Sequence, residues 1–308
     1  MHNFNMYDLI IIGGGPAGLT AALYAGRARL KTLLLEKISL GGQIMLTGTI
    51  ENFPGFAGGI STEKLISSMR KQVEELDVEV KIDEAAKIIY GDEIKIQGSE
   101  GEYQARAVII ACGALPKQLG IEGENRFIGR GVSYCGTCDG PLFKDKDIVV
   151  IGGGDRALEE AIYLCGYAKK VNLVHRRGVL RASKILEERV RQNPKINLIL
   201  DSIIEEVNGK DRVEGVRIKN LKTDSISNLS CQGVFIFVGI KPNTVFLGNL
   251  LEMDKTGFII TDQELKTSKK GIFACGDCRQ KTLYQVITAC GDGAIAADSA
   301  YKYLITKR

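Results

Sequence analysis

The sequence predicts an α/β protein of two three-layer units, the second inserted into the first. Three observations carry that prediction. A strand–glycine turn–helix–strand pattern occurs twice, at Met6 to Leu35 and at Asp147 to Val174. Two proline-punctuated extended segments, around Pro116 and Pro242, bracket the second copy. And 308 residues suffice for about two domains at the usual size of roughly 150 residues each. A repeat of this kind, with a glycine-rich turn opening each helix, is the trace of two Rossmann-like dinucleotide-binding domains.

Taken in order, Met6 to Ile12 is a short apolar run ending at a glycine cluster and reads as a buried strand. Ala17 to Ala28, rich in Ala and Leu, reads as a helix, and Thr32 to Leu35 as the next parallel strand. Val73 to Ile96 and Tyr103 to Ala111 alternate like sheet and stop at Gly113-Ala114-Leu115-Pro116. In the second unit, Asp147 to Ile151 is a strand, Ala157 to Ala168 a helix and Val171 to Val174 a strand. Val216 to Lys219 and Cys231 to Val238 add strands before the Gly239 to Thr244 stop. From Gly257 a short strand, the Cys275-Gly276-Asp277-Cys278 loop and a helix from about Leu283 to Leu304 complete the chain. The expected organisation is 1–116 and 244–308 as one dinucleotide-binding domain, with 117–243 inserted as the other.

Composition narrows the function. A net charge of +4 without blocks of like charge does not point to nucleic acid or an anionic membrane. Apolar runs such as Leu9 to Ile12 and Val108 to Cys112 are far too short to span a bilayer. The chain enters a strand almost at once, so a cytoplasmic location without a signal peptide is expected. Eight cysteines over 308 residues do not make a disulfide scaffold. Cys112, Cys165, Cys231 and Cys290 are expected to be inert core thiols, which leaves two CxxC pairs.

The first glycine turn, Gly13-Gly14-Gly15-Pro16-Ala17-Gly18, places Gly13, Gly15 and Gly18 where such a turn needs glycine. One allows the tight turn, one lets backbone approach a diphosphate, and one packs helix against strand. The free N–H groups of the helix N-terminus then face the anion. Glu36, 23 residues after Gly13 and at the end of the next strand, suits ribose hydroxyls. The second turn, Gly152-Gly153-Gly154-Asp155-Arg156-Ala157, meets the same template with Ala157 as its third small residue. Its next strand ends not in a carboxylate but in His175-Arg176-Arg177, followed by Arg181. Arginines there hold a 2′-phosphate by charge-assisted hydrogen bonds, which favours NADPH over NADH.

Cys135-Gly136-Thr137-Cys138 lies just before the second turn. A CxxC is a redox disulfide, half of a zinc site, or chance. The second pair, Cys275 and Cys278, is 137 residues away and brackets Asp277, so zinc shared between the pairs is not expected. Thiolate exchange needs a lowered thiol pKa and an acid for the leaving thiol. Asp139 is placed for that role, or simply orders the turn into Gly140-Pro141.

At these residues the chain resembles the low-molecular-weight thioredoxin reductases, essentially end to end. The resemblance is carried by Gly13 to Gly18; Gly41-Gly42-Gln43; Ile50-Glu51-Asn52-Phe53-Pro54-Gly55; Cys135 to Gly140; Gly152 to Asp155; His175-Arg176-Arg177 with Arg181-Ala182; and Gly276-Asp277 with Gln285. It implies FAD in the first site, NADPH in the second, a homodimer, and thioredoxin or a thioredoxin-like protein disulfide as substrate. The FAD site would comprise Gly13, Gly15, Pro16, Ala17, Glu36, Lys37, Gly42, Gln43, Asn52, Asp277, Gln285 and Val286. The NADPH site would comprise Gly152, Gly154, Asp155, Arg156, Ala157, His175, Arg176, Arg177 and Arg181. Cys138 would face the flavin, Cys135 would attack the partner disulfide, and Asp139 would serve as acid/base. The family also rotates its nicotinamide domain between two poses.

Three departures bear on these expectations. Arg156 stands where the family has a small Ser or Thr, which motivates the alternative of a related flavin disulfide reductase fed by ferredoxin or NADH. Tyr284 replaces an Arg before Gln285. Cys275 and Cys278 raise a second redox pair, with ordinary packing as the default.

Overall fold

The computed structural model describes residues 6–46, 49–50, 52–91 and 93–306; of Leu46, Thr49, Thr137 and Cys138 it describes the backbone only. Helices run over Pro16–Arg27 (α1), Thr62–Glu74 (α2), Gly136–Asp139 (α3, one turn), Asp155–Leu164 (α4), Lys184–Gln192 (α5) and Val286–Thr306 (α6). The chain divides into two compact units, 1–115 with 241–308 and 116–240. Two short strands, Ala114–Pro116 and Ile240–Pro242, pair with each other where the chain passes from one unit to the other and back.

The sheet of the first unit is ordered Glu79–Ile82, Thr32–Glu36, Met6–Ile12, Glu102–Ile110, Ile94–Gly98, Ala85–Ile89, with Ile272–Ala274 also paired to Glu102–Ile110. Five of these strands are mutually parallel, and the register sets Ile12 beside Leu35 and Ile110, and Ala274 beside Ile110. A parallel sheet covered on both faces needs strands that are apolar throughout. Leu9, Ile10 and Ile11 meet that demand, each fully buried. Because the strands end in register, the turns after Ile12, Leu35, Ile110 and Ala274 open on one edge of the sheet.

The second unit holds a fully parallel sheet, ordered Val132–Ser133, Gly233–Ile236, Asp147–Ile151, Lys170–Val174, Ile196–Ile199. Beside it lies an antiparallel sheet of Ser202–Asn208, Gly215–Asn220 and Ile226–Ser230. Val149, Val150, Leu173 and Phe235 are fully buried in the parallel sheet. The carboxyl edge of this sheet receives the segments after Ser133, Ile151, Val174 and Ile236.

Two local expectations are corrected, and a third element, α5, is added. The sheet-like stretch expected from Val73 instead begins with the end of α2, and its first strand starts at Glu79. Thr62, Leu65, Ile66 and Val73 are buried at helical spacing, and the Ser61 hydroxyl accepts from Lys64 N–H at 3.3 Å as an N-cap. The second-unit helix begins at Asp155 and stops at Leu164, four residues short of Ala168, where Gly166 bends the chain. The third, α5, lay in a stretch not assigned from the sequence.

Candidate functional site

In the first unit the glycine turn shows two different uses of glycine. Gly13 has φ +109°, and a Cβ there would lie 2.7 Å from the Ala111 carbonyl carbon. A Cβ on Gly18 would lie 2.9 Å from the Gly13 carbonyl carbon. Both positions are closed by backbone. Gly15 is open: its Cβ would meet only the Gly41 oxygen, at 3.9 Å. Gly15 caps α1 with no side-chain hydrogen bond, and Pro16 stands at the first helical position, so the end of the helix keeps free N–H groups for an anion.

The strand ends bring the other predicted residues to this turn. Glu36 accepts from Gly14 N–H at 2.7 Å and from Ile38 N–H at 3.1 Å, which fixes its carboxylate beside the loop. Gly42, at φ +61°, places the point of a Cβ 3.3 Å from Gly15 Cα, and Gln43 is exposed after it. Asn52 Nδ2 donates to Gln285 Oε1 at 2.9 Å across 233 residues of chain, with Val286 half-buried next to it. Lys37 is held in an exposed ion pair with Glu84 at 2.7 Å. Asp277 lies in the turn after Ile272–Ala274, and a Cβ on Gly276 (φ +74°) would lie 2.7 Å from Ala17 Cβ, so the turn runs close against the start of α1.

A charged cluster that sequence reasoning missed pins the Asp277 turn. Lys281 Nζ lies 3.3 Å from both Asp277 Oδ1 and Asp292 Oδ2. Asp292 also accepts from Gly276 N–H at 3.1 Å and pairs with Arg279 at 3.4 Å. The Lys281 side chain is only 8% exposed, so breaking one partner would strand buried charge. Tyr284, in the place of the family's Arg, packs on Phe258 with ring centroids 5.5 Å apart. The Cys275 and Cys278 thiols are free and fully buried, and Cys278 Sγ bonds the Cys275 and Ile110 carbonyls. Burial pushes the Cys275 and Cys290 thiols up, and Cys231 up to about 12. A hydrogen bond to Cys278, then burial, raises Cys112. Thiols in such surroundings are poor nucleophiles.

In the second unit Gly152 has φ +157° and Gly154 faces open space, with nothing within 4 Å of a Cβ. Ala157 is buried against the sheet. Asp155 Oδ1 accepts from Ser183 N–H at 2.6 Å, and Arg181 N–H donates to Gly153 O at 2.6 Å. These two bonds lash the 176–183 loop to the glycine turn and leave the Arg176, Arg177 and Arg181 side chains exposed there. His175 points the other way. Its ring is buried against Gly153, within 2.6 Å of where a Cβ would sit, and Nε2 has no hydrogen-bond partner. Burial first, then the Arg181 charge, holds its pKa below the ordinary 6.5. The Arg156 guanidinium lies 5.6 Å from the Phe237 ring centroid, away from Gly154. Tyr134, Gly154, Arg156, Arg181, Phe237 and Ile240 line a cleft at this edge.

The dithiol segment opens on the same edge, two residues after Val132–Ser133. Cys135 is buried and disulfide-bonded. Its N–H donates to Ser133 Oγ at 3.0 Å, and its carbonyl accepts from Asp139 N–H at 3.3 Å. The side chain of Cys138, and with it the expected Cys135–Cys138 pairing, lies outside the described residues; Asp139 is half-buried at the end of α3. Glu124 was not foreseen. Fully buried, it accepts from Leu119 and Gly120 N–H at 2.9 and 2.7 Å and from the Tyr134 hydroxyl at 2.6 Å. Burial and that carboxylate raise the Tyr134 pKa. Among the described residues no group of three or more His, Cys, Asp or Glu side chains could hold a metal ion, and no helix is long and apolar enough to cross a membrane.

Two glycine turns on parallel-sheet edges, one sharing its edge with a disulfide, define a dinucleotide-dependent disulfide oxidoreductase fold. Residues 7–293 match the family described as pyridine nucleotide-disulphide oxidoreductase. The chain is 46% identical over 307 residues to thioredoxin reductase of Peptoclostridium litorale, covering 97% of this chain and 98% of that protein. Its structure resembles thioredoxin reductase of Lactococcus lactis, with TM-score 0.92 and 44% identity over 97% of this chain and 99% of that one. It also resembles that of T. acidophilum, with TM-score 0.89 and 32% identity over 96% and 98%. The chain therefore belongs to the pyridine nucleotide-disulphide oxidoreductases and, within them, to the thioredoxin reductase family.

Proposed function

We propose that the chain is an NADPH-dependent flavoprotein that reduces the disulfide of thioredoxin or a thioredoxin-like protein. The observation that carries the reading is that the Cys135 disulfide and the Gly152 to Ala157 turn open on one carboxyl edge of one sheet, beside the exposed Arg176, Arg177 and Arg181. The open faces of Gly15 and Gly154, against the closed ones of Gly13 and Gly18, fit two diphosphates. FAD held there would supply the hydride acceptor for the nicotinamide and the electron pair for the disulfide.

The chain's own residues bind, orient and move protons. Gly13, Gly15, Pro16 and Ala17 present the α1 N-terminus to the FAD diphosphate, and Glu36 accepts from the ribose. Asp277, steadied by Lys281, would face the ribityl and diphosphate part, and Gly42, Gln43, Asn52, Gln285 and Val286 would surround the flavin ring. The Arg176, Arg177 and Arg181 side chains hold the 2′-phosphate of NADPH. Arg156, drawn aside beside Phe237, leaves the Gly154 turn open, which supports a nicotinamide rather than ferredoxin as donor. The Cys135 thiolate attacks the partner's S–S bond, forming a mixed disulfide and releasing one partner thiolate, which Asp139 protonates. Cys138 then closes the Cys135–Cys138 bond and releases the second partner thiol. A homodimer in the cytoplasm completes the reading.

The test is anaerobic titration of the purified protein with NADPH and, separately, NADH, followed in the flavin bands. Bleaching by NADPH at far lower concentration supports the reading. A flavin that dithionite reduces but NADPH does not would overturn it.

A further inference from the structure

Glu160 is a buried carboxylate beside the dithiol segment that the mechanism does not use and that, unlike Glu124, leaves an oxygen without a hydrogen-bond partner. It lies on α4, the helix that the nucleotide turn opens, and its side chain is turned inward, 9% exposed. It reaches Gly136, the residue after Cys135. A Cβ on Gly136 would lie 3.3 Å from Glu160 Cδ and directly overlap Oε2. Oε2 has no hydrogen-bond partner. A carboxylate in that condition is held by its surroundings against a clear preference for water. Burial raises its pKa, while Arg156 and the Gly136 N–H oppose the rise. Arg156 is one helical turn back on the same face, Glu159 acts on Glu160 with like charge, and Tyr163 lies within its field.

We propose that Glu160 is a positioning residue that sets the reduction equilibrium of the Cys135 disulfide by placing a buried carboxylate under the first peptide of the CxxC turn. The proposal rests on the reading that this disulfide turns over. An anion beside the turn disfavours thiolate in the reduced state, so it keeps the dithiol a stronger reductant for its partner. A Cβ at Gly136 would displace the carboxylate. And because the Arg156 charge acts on Glu160, a phosphate that engages Arg156 changes the field at the dithiol through one helix.

The test needs neither thioredoxin nor NADPH, so it stands apart from the titration above. The disulfide is equilibrated with dithiothreitol over about pH 5 to 9. One protein S–S bond breaks to give two thiols, while the reagent closes its own S–S bond; two electrons and two protons pass over, and a thiol that ionises gives its proton to solvent. The difference between Glu160→Gln and the wild type is expected to be smallest at the acid end, where the least of the carboxyl is ionised. As pH rises, the variant disulfide becomes easier to reduce, by about tenfold in the equilibrium constant, which is about 30 mV for a two-electron couple. Glu159→Gln, an exposed neighbour, is expected to stay within twofold of the wild type. Overlapping wild-type and Glu160→Gln curves throughout that range would overturn the proposal, as would an equal shift in Glu159→Gln. If Glu160→Gln does not fold, the wild type alone decides: reduction takes up a proton beyond those on its sulfurs within the range, and the absence of that excess refutes the role.

Discussion

The contrast between Gly15 and Gly18 separates folding from cofactor binding within one turn. Gly15 has φ −74° and ψ −175°, which alanine adopts freely, and its Cβ would find no neighbour nearer than 3.9 Å. Gly15→Ala in protein stripped of flavin should therefore fold and gain about 0.4–1 kcal/mol by restricting the unfolded chain. For a unit of this size that is a rise of roughly 1–4 °C in Tm. The same methyl occupies the space into which a diphosphate must descend to reach the α1 N–H groups. Losing one or two charge-assisted bonds of about 1.5–3 kcal/mol each weakens flavin binding at least tenfold. Gly18→Ala behaves oppositely. Its Cβ would sit 2.9 Å from the Gly13 carbonyl carbon, against a comfortable separation of about 3.5–4 Å, and backbone cannot rotate away. Overpacking of this kind costs about 1–3 kcal/mol or more, so the stripped protein should melt several degrees lower. Calorimetry of the stripped proteins and fluorescence titration with FAD give both quantities. A Gly15→Ala protein that binds FAD as tightly as the wild type, or one that melts as low as Gly18→Ala, would refute the assignment of Gly15 to the phosphate.

Three further outcomes are expected. Replacing Arg176 and Arg177 together with Gln should raise the Michaelis constant for NADPH by about 10- to 100-fold while leaving that for NADH within a few-fold, read by steady-state reduction of an artificial acceptor; equal losses with both would remove the 2′-phosphate from their role. Cys135→Ser should keep flavin bleaching by NADPH but lose thioredoxin reduction, and turnover of thioredoxin by that variant would place the attacking sulfur elsewhere. His175, whose folded pKa lies below its unfolded value of about 6.5, binds its proton better in the unfolded chain, so it withdraws stability as pH falls below 6.5 toward the folded pKa and leaves it unchanged above. Urea melts at pH 5 to 7 should show that loss in the wild type and a reduced loss in His175→Asn; parallel curves would show that the ring is solvated.

What could be read from the chain followed from constraints that act within a few residues. Gly13 and Gly152 announce themselves because their backbone angles exclude a side chain, and Met6 to Ile12 because a parallel strand buried on both faces must be apolar throughout. Glu36 and the Arg176–Arg177 pair follow from the length of one βαβ unit. The α2 helix was lost because Val73, its last buried residue, also begins a run that alternates like sheet, and the Ser61 cap is a weak signal by itself. Glu124, Asp292 and Lys281 were illegible for a different reason. Each acts on backbone or charge brought to it by tertiary packing, and nothing in its own neighbourhood distinguishes it from a solvated surface charge. His175 shows the limit of a strand-end rule: the residue after Val174 turns inward against Gly153, and only the next two reach solvent.

The α4 helix draws these strands of argument together. Its first turn supplies Asp155, which ties Ser183, and with it the arginine loop, to the glycine turn. Arg156 follows, laid beside Phe237 at the cleft, and one turn later Glu160 stands under Gly136. Positions i and i+4 on a helix are neighbours, so a cation at the nucleotide cleft and an anion under the dithiol cannot be changed independently. A small hydroxyl residue in place of Arg156 would leave Glu160 without its countercharge and raise its pKa further, favouring the neutral acid. If Glu160 acts on the disulfide as proposed, Arg156 acts on that side as well as at the cleft. An Arg156→Ser variant should show it in two readouts at once: a changed Michaelis constant for NADPH, and a dithiothreitol equilibrium in which the ionisation of Glu160 is displaced to higher pH. A variant that changed only the first would confine Arg156 to the nucleotide.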